Sequence, residues 1–282
     1  MPELPEVETI CNALRNGGRG GASVIGRRVV DSHLLWEGSL AEPTALEFRE
    51  RILGQIVREV GRRGKYIMMQ FSDDTLLIHL RMSGDLVIEK QIEPVAPHHR
   101  MMLDLDGGIR LAFNDTRKFG RIWLVADPQV VVGNLGPEPL IGDFTPQVLH
   151  QRLQAHRRQL KPLLLDQSFI AGLGNIYTDE ALHRARLHPL LISNTLDNSQ
   201  SERLWSSIRQ VLEEGIRRQG ASIDWIYRGG DFQNYFTVYQ RTGDPCPTCG
   251  APIQRILVGQ RGTHFCVNCQ PPPSSSEVEK DG

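Results

Sequence analysis

Four cysteines confined to one short stretch constrain this chain more than any other feature. Cys246-Pro-Thr-Cys249 and Cys266-Val-Asn-Cys269 are separated by sixteen residues. Each C-x-x-C turn lets two thiolates converge on one ion, and two turns at this spacing complete a tetrahedral four-thiolate zinc site. A closed shell leaves no coordination position for water or substrate, so one structural Zn2+ is expected, bound by Cys246, Cys249, Cys266 and Cys269. A pair of buried cysteine hairpins without metal is the alternative. Between the pairs, PIQRILVGQRGTHF reads as two strands around Gly-Gln-Arg-Gly, a hairpin with Arg261 at its tip. That arginine is either a phosphate contact on a rigid support or a solvated surface charge.

The rest of the chain divides by its periodicity. Residues 6–15 place Val7, Ile10, Cys11 and Leu14 at helical spacing, with Pro5 tolerated in the first turn. After the glycine-rich break Asn16–Gly21 come strand-like runs at 66–71, 75–82, 99–106, 109–113 and 121–126. Ser72-Asp73-Asp74 and Asp106-Gly107-Gly108 supply turns between them, which predicts hairpins in an antiparallel sandwich. A Pro/Gly-rich linker over 133–142 leads into helical patterns at 145–165, 175–187 and 199–220. The expected fold is α+β with two lobes: an N-terminal antiparallel β-sandwich with flanking helices over 1–132, and a helical domain over 143–240. The zinc finger follows over 241–270, and an acidic, disordered tail over 271–282.

Lys and Arg number 32 against 33 Asp and Glu, a net charge of −1, which excludes a uniformly basic nucleic-acid coat. A localised basic groove remains open. Residues 49–65 and residues 151–161 each carry a net +4. Either run is a solvated face taken alone; together with Arg261 they are read as a focused DNA groove. No apolar stretch approaches the ~18 residues of a membrane span, and MPELPEVET has no leader-like pattern, so a cytoplasmic protein is expected.

The N-terminus carries its own chemistry. Pro2 is small enough for Met1 to be removed, which exposes a secondary amine. An α-amino group titrates near pH 8, so part of it is nucleophilic at neutral pH, and attack on an aldehyde-level carbon gives an iminium directly. Glu3 and Glu6 stand beside it at a helix start, where they either move protons or simply serve the helix terminus.

MPELPEVET, GRRGKY, LIHLRMSG, NDTRKFG, LGPEPL, IAGLGNIYTDEALHRARLHP and the four-cysteine finger occur in this order. Together they resemble bacterial formamidopyrimidine-DNA glycosylases, from Met1 to about Gln270. The resemblance implies a bifunctional base-excision-repair glycosylase and abasic-site lyase that removes 8-oxoguanine and formamidopyrimidines from double-stranded DNA, as a monomer on the bacterial nucleoid. It makes Pro2 the nucleophile, Glu3 the acid/base carboxylate, Glu6 its companion and Lys65 a catalytic lysine near a phosphate. It makes Met82, Arg117 and Phe119 the side chains that fill the gap left by a flipped base. Lys65, His79, Asn175 and Arg261 become the phosphate clamp. Asn175 is expected to cap the helix that follows Gly172 and Gly174, in a helix–two-turn–helix motif. Lys161 aligns with a family lysine near this motif.

Two stretches depart from the family pattern. Asn16–Gly21 looks like a small insertion. Ser222-Ile223-Asp224-Trp225, within 220–236, differs from the Thr-Leu-Arg-Asp type of sequence common in the covering loop, which bears on lesion preference rather than on the chemistry. Three competing functions are an endonuclease VIII-like glycosylase for oxidised pyrimidines, a non-catalytic zinc protein that binds damaged DNA, and a proline-nucleophile enzyme acting on small carbonyl compounds.

Overall fold

The structure is a computed structural model that describes residues 1–223 and 229–273. In chain order the first half contains α1 (Leu4–Asn16), β1 (Val29–Leu34), β2 (Leu40–Glu42), α2 (Ala45–Ile52), β3 (Glu59–Arg63), β4 (Tyr66–Gln70) and β5 (Thr75–His79). It continues with β6 (Gly84–Lys90), β7 (His99–Leu105), β8 (Ile109–Asp115), β9 (Arg121–Val125) and the short α3 (Gln129–Val132). The second half contains α4 (Pro146–Gln154), α5 (Leu160–Leu165), α6 (Asn175–Ala185), α7 (Asn198–Arg217), β10 (Gln254–Val258) and β11 (Arg261–Phe265).

Two compact units result. The first joins Met1–Asn134 to the described residues of Gln219–Gly230; the second joins Leu135–Arg218 to the described residues from Asp231 onward. In the first unit, one sheet has the order β1-β7-β8-β6 and the other β2-β9-β5-β4-β3. The β4–β5 and β7–β8 hairpins turn where the sequence predicts. Among the described residues, the one departure from antiparallel pairing is the three-residue edge strand β2, parallel to β9. Alternation explains the layering: Ile67 and Met69 on β4 point inward while Tyr66, Met68 and Gln70 do not. They join Ile78, Ile122, Leu103 and Phe113 in one core, which α1 closes with Val7, Ile10 and Leu14. Cys11 belongs to that core; burial pushes its thiol up to about 12, and Sγ donates to the Gly61 carbonyl at 3.0 Å. It is an inert core residue.

In the second unit, α4 is capped by Thr145 Oγ1, which accepts from Val148 N, and α7 by a reciprocal capping box between Asp197 and Gln200. The helical pattern at 145–165 is broken between α4 and α5. The finger has a small core of its own, formed by Val238, Cys246, Ile253 and Cys266. Among the described residues, no helix is long and apolar enough to cross a membrane. Of the tail expected over 271–282, residues 274–282 lie outside the described residues, as do Asp224 and Trp225 of the loop comparison.

Candidate functional site

The N-terminus is built into the fold. Met1 is 42% exposed, whereas Pro2, Glu3 and Glu6 are all buried. Glu3 caps α1, and its backbone N–H donates to Glu6 Oε2 at 2.8 Å in a capping box. The other Glu6 oxygen accepts from Ala221 N at 2.8 Å. A Cβ on Gly220, whose φ is +80°, would lie 2.7 Å from that oxygen, so the backbone approaches Glu6 only because the residue is glycine. Both Glu6 oxygens are therefore engaged by main-chain amides.

Residue contacts along α1 show what lies beside this end. Arg15 reaches Val60 O, Cys11 reaches Gly61 O, and Glu8 pairs with Arg62 at 2.8 Å. Each step toward the helix N-terminus is thus a step along β3 from Val60 to Arg62. Lys65 is only 5% exposed. On the neighbouring strand, Tyr66 pairs with His79 in register and their rings meet edge-on at 4.7 Å.

His79 is 8% exposed, and burial, followed by the charges of Arg81 and Lys65, lowers its pKa from 6.5 to about 3. The ring is neutral at physiological pH. Nδ1 accepts from Arg81 N at 3.1 Å, which leaves the proton on Nε2 as a donor. Below pH 6.5 the unfolded chain takes up a proton at this position that the folded chain refuses, so stability falls as pH falls toward the folded value. The difference is about 2 kcal/mol at pH 5. Denaturant unfolding at pH 7 and pH 5 is expected to show this dependence weakened by about that amount in His79→Gln.

Met82, Arg117 and Phe119 come together on two loops. Met82 is 43% and Phe119 47% exposed. The Arg117 guanidinium lies 4.7 Å from the Phe119 ring centroid and 3.5 Å from Met82 Sδ. Asp115, fully buried, ties the loops together: its carboxylate accepts from Ser83 Oγ, from Arg117 N at 3.2 Å and from Gly120 N at 2.7 Å. Lys118, with φ +59°, stacks its ammonium 3.9 Å above Trp36. Three exposed side chains are thus presented by a turn that is fixed from beneath.

In the second unit α6 aligns the remaining candidates. Its N-cap is Gly174, not Asn175, which occupies the first helical position. Asn175 instead donates from Nδ2 to Gly262 O at 3.0 Å, and its Oδ1 is buried without a hydrogen-bond partner among the described residues. The cap passes to glycine because the Asn175 amide is drawn to the finger strand. Lys161 and Asp179, both fully buried, pair at 2.6 Å. Lys161 also reaches Gly262 O, and Asp179 accepts from His264 N at 2.9 Å. Arg261 is exposed at the start of β11 rather than at the tip; the turn is Gly259-Gln260, with φ +53° and +61°, the signs a two-residue type I′ turn requires.

The four finger sulfurs lie within 4.8 Å of one another, with Cys246–Cys269 at 3.8 Å and Cys249–Cys266 at 3.4 Å. Zn–S bonds of ~2.3 Å in a tetrahedron separate the sulfurs by roughly 3.8 Å, so the cluster fits one zinc ion. Burial opposes ionisation of Cys246, yet the Thr248 and Cys249 amides and His183 bring its thiol down to about 6. Burial and the neighbouring sulfurs push Cys269 up to about 12.

Comparison with known proteins follows the same partition. The family described as formamidopyrimidine-DNA glycosylase N-terminal domain matches residues 1–122, and the H2TH domain of the same glycosylases matches 135–226. A zinc finger found in FPG and IleRS matches 243–272. The formamidopyrimidine-DNA glycosylase of Protochlamydia amoebophila is 42% identical over 96% of this chain and 99% of its own. The chain belongs to the formamidopyrimidine-DNA glycosylase family. The relative from Chloroflexus aurantiacus is 44% identical over 96% of this chain and 98% of its own. Among solved structures, the complex between Lactococcus lactis FPG (MutM) and a Fapy-dG containing DNA is 34% identical, covers 96% of this chain and 100% of its own, and has a TM-score of 0.88. MutM with carbocyclic 8-oxo-G containing DNA covers the same shares at 35% identity and a TM-score of 0.87.

The ion pairs of this glycosylase-family chain also show which partners some of the charges in the two basic runs have. Within 49–65, Arg49 pairs with Asp31, Arg51 with Asp74 and Glu47, and Arg62 with Glu8. Within 151–161, Arg158 pairs with Asp166, Lys161 is buried against Asp179, and Arg152 is held by the Ser168 and Phe169 carbonyls. Arg49, Arg51, Arg62, Arg158 and Lys161 thus answer carboxylates within the fold. Asp115, Asp179, Glu180 and His183 escaped the sequence reading. NDTRKFG shows Asp115 plainly, but nothing local shows that its carboxylate collects donors from two loops.

Proposed function

We propose that the chain excises oxidised purines, 8-oxoguanine and ring-opened formamidopyrimidines, from double-stranded DNA and cleaves the strand at the abasic site it creates. The observation that carries this reading is the buried Pro2-Glu3-Glu6 end of α1, with Glu6 held by the Glu3 and Ala221 amides. It is supported by near-full-length relatives that bear the name of this glycosylase. After removal of Met1, the Pro2 nitrogen bonds to C1′ as the N-glycosidic bond breaks, and the base leaves with that electron pair and a proton. Opening of the C1′–O4′ bond gives an iminium. Loss of a C2′ proton then expels the 3′-phosphate, and hydrolysis of the iminium frees the amine. Glu3 moves protons for the sugar oxygen. Glu6, with both oxygens on main-chain amides, orients Glu3 and the 220–221 backbone.

Met82, Arg117 and Phe119 fill the gap left by the extruded nucleotide, with the aromatic face stacking and the guanidinium meeting the orphaned base. Lys65 and the neutral His79 Nε2–H bind phosphate from the first unit. In the second unit the same role falls to Arg261 and to the first backbone N–H groups of α6 at Asn175. Zinc, held by Cys246, Cys249, Cys266 and Cys269, fixes the finger. The reading includes the boundaries 1–132, 143–240 and 241–270 for the three domains, and a monomer that works in the cytoplasm on nucleoid DNA. Duplexes carrying 8-oxoguanine, ring-opened guanine or thymine glycol, each opposite different bases, test it: release of the two purine lesions with strand cleavage is expected. Preference for thymine glycol would favour the pyrimidine-specific alternative, and tight binding without base release a non-catalytic one.

A further inference from the structure

The glycine-rich stretch between α1 and β1 is docked on the sheet. Gly18 and Gly21 exchange N–H···O=C hydrogen bonds at 2.9 Å in both directions, and between them Arg19 and Gly20 have φ +49° and +87°. These are the signs of a two-residue type I′ turn, so Arg19 stands at the tip of a closed reversal. The reversal lies against β6, an edge strand in the order β1-β7-β8-β6. A Cβ on Gly21 would fall 2.4 Å from Ile88 Cβ, so the approach requires glycine. From the tip, the Arg19 guanidinium meets Asp85 as a fork, Nη1 to Oδ1 at 3.0 Å and Nη2 to Oδ2 at 2.7 Å. Asp85 is 7% exposed, and its Oδ1 also accepts from Leu86 N at 2.9 Å.

Asp85 is the second residue of β6 and follows directly on the turn that carries Met82. That turn is closed by Gly84 N, which donates to Leu80 O at 2.9 Å, and Arg81 within it has φ +51°. It is gripped at two places: Ser83 by the buried carboxylate of Asp115, and Asp85 by Arg19. A two-point guanidinium–carboxylate contact fixes direction as well as distance. We propose that Arg19 is a positioning residue for base extrusion: through Asp85 it holds the exit of the 80–84 turn, and so fixes where Met82 enters the gap in the base stack. The inference rests on the glycosylase reading and on the role that reading gives Met82. It assigns a task to a stretch that departs from the family pattern.

Single-turnover base release from an 8-oxoguanine duplex tests this with full-length protein, comparing Arg19→Ala, Met82→Ala and the double variant. Misplacing a positioning group by about 1 Å can cost up to about 100-fold, and with Asp115 still in place Arg19→Ala is expected to slow release about tenfold. Arg19→Lys keeps the charge and one of the two contacts, and is expected to lose less than Arg19→Ala. In the Met82→Ala background, removing Arg19 is expected to change the rate by less than about twofold, because the two act through one step. Losses that multiply in the double variant overturn the proposal, since Arg19 would then act on the fold at large and not through Met82. Arg19→Ala or Met82→Ala releasing base at the unsubstituted rate overturns it as well. Should Arg19→Ala fail to fold, Gly21→Ala keeps the ion-pair residues but drives the reversal off Ile88. It is expected to slow release in the same Met82-dependent way, and an unchanged rate counts against the proposal. The unsubstituted protein separates the two readings: if it releases no base, the glycosylase reading falls and this inference with it. If it releases base and Arg19→Ala matches it, this inference alone falls.

Discussion

One extra residue ahead of Pro2 is expected to abolish excision, lowering the rate by roughly a thousandfold or more, while binding to a lesion duplex changes far less. The extension turns the Pro2 nitrogen from a secondary amine into an amide, whose lone pair is delocalised and no longer nucleophilic. Pro2→Gly is the informative companion. It keeps a terminal amine but loses the ring that fixes its direction and the second alkyl group that raises its nucleophilicity. Its rate should fall between the two. The fold explains why the effect is so local: Met1 is 42% exposed while Pro2 is buried, so removal of a single solvent-facing residue uncovers the nitrogen in place. Single-turnover kinetics on an 8-oxoguanine duplex, with binding measured in parallel, separates the two effects.

Asp115→Ala should cost about 3 kcal/mol of stability. The carboxylate is fully buried and answers Ser83 Oγ, Arg117 N and Gly120 N. Alanine leaves the buried Ser83 hydroxyl and Gly120 amide without this acceptor, while Arg117 N keeps Ser83 Oγ at 3.1 Å. The effect on activity should exceed what stability alone predicts, since Met82 and Arg117–Phe119 sit on the two loops that Asp115 joins. Asp115→Asn keeps the shape and one acceptor oxygen and should recover part of both losses. Urea unfolding and base-release rates on the same preparations check this. If Asp115→Ala unfolds at the same urea concentration as the unsubstituted protein, the carboxylate is not the anchor that the geometry makes it.

The elements that were legible in the sequence are those whose physics is local. Helical spacing of Val7, Ile10 and Leu14 gave α1, and the β4–β5 and β7–β8 hairpins followed from apolar runs on either side of turn residues. The C-x-x-C spacing carried the metal cluster without any knowledge of the fold. Strands β3 and β6 were invisible for a physical reason. Glu59–Arg63 reads as a charged run; it becomes a strand by antiparallel pairing with β4, and Glu8, far away in sequence, receives Arg62. The partners of Arg51, Arg158 and Lys161 were hidden for the same reason, because Asp74, Asp166 and Asp179 come from elsewhere in the chain. Asn175 had the chemistry of an N-cap, but Gly262 offered its amide a partner that no local pattern reveals.

The N-terminal residues were legible as types; their roles depended on burial and partners. Glu6 looked like an acid ready to move protons, yet both of its oxygens accept main-chain amides, which makes it an organiser of Glu3 and the 220–221 backbone. In the proposed reaction the covalent step belongs to Pro2. Borohydride reduction during reaction with an 8-oxoguanine duplex, then nuclease and tryptic digestion and mass spectrometry, tests this most directly. The account predicts the trapped sugar remnant on the peptide running from Pro2 to Arg15, attached at the proline nitrogen. A remnant on the Lys65 peptide, or no adduct despite base release, would contradict it.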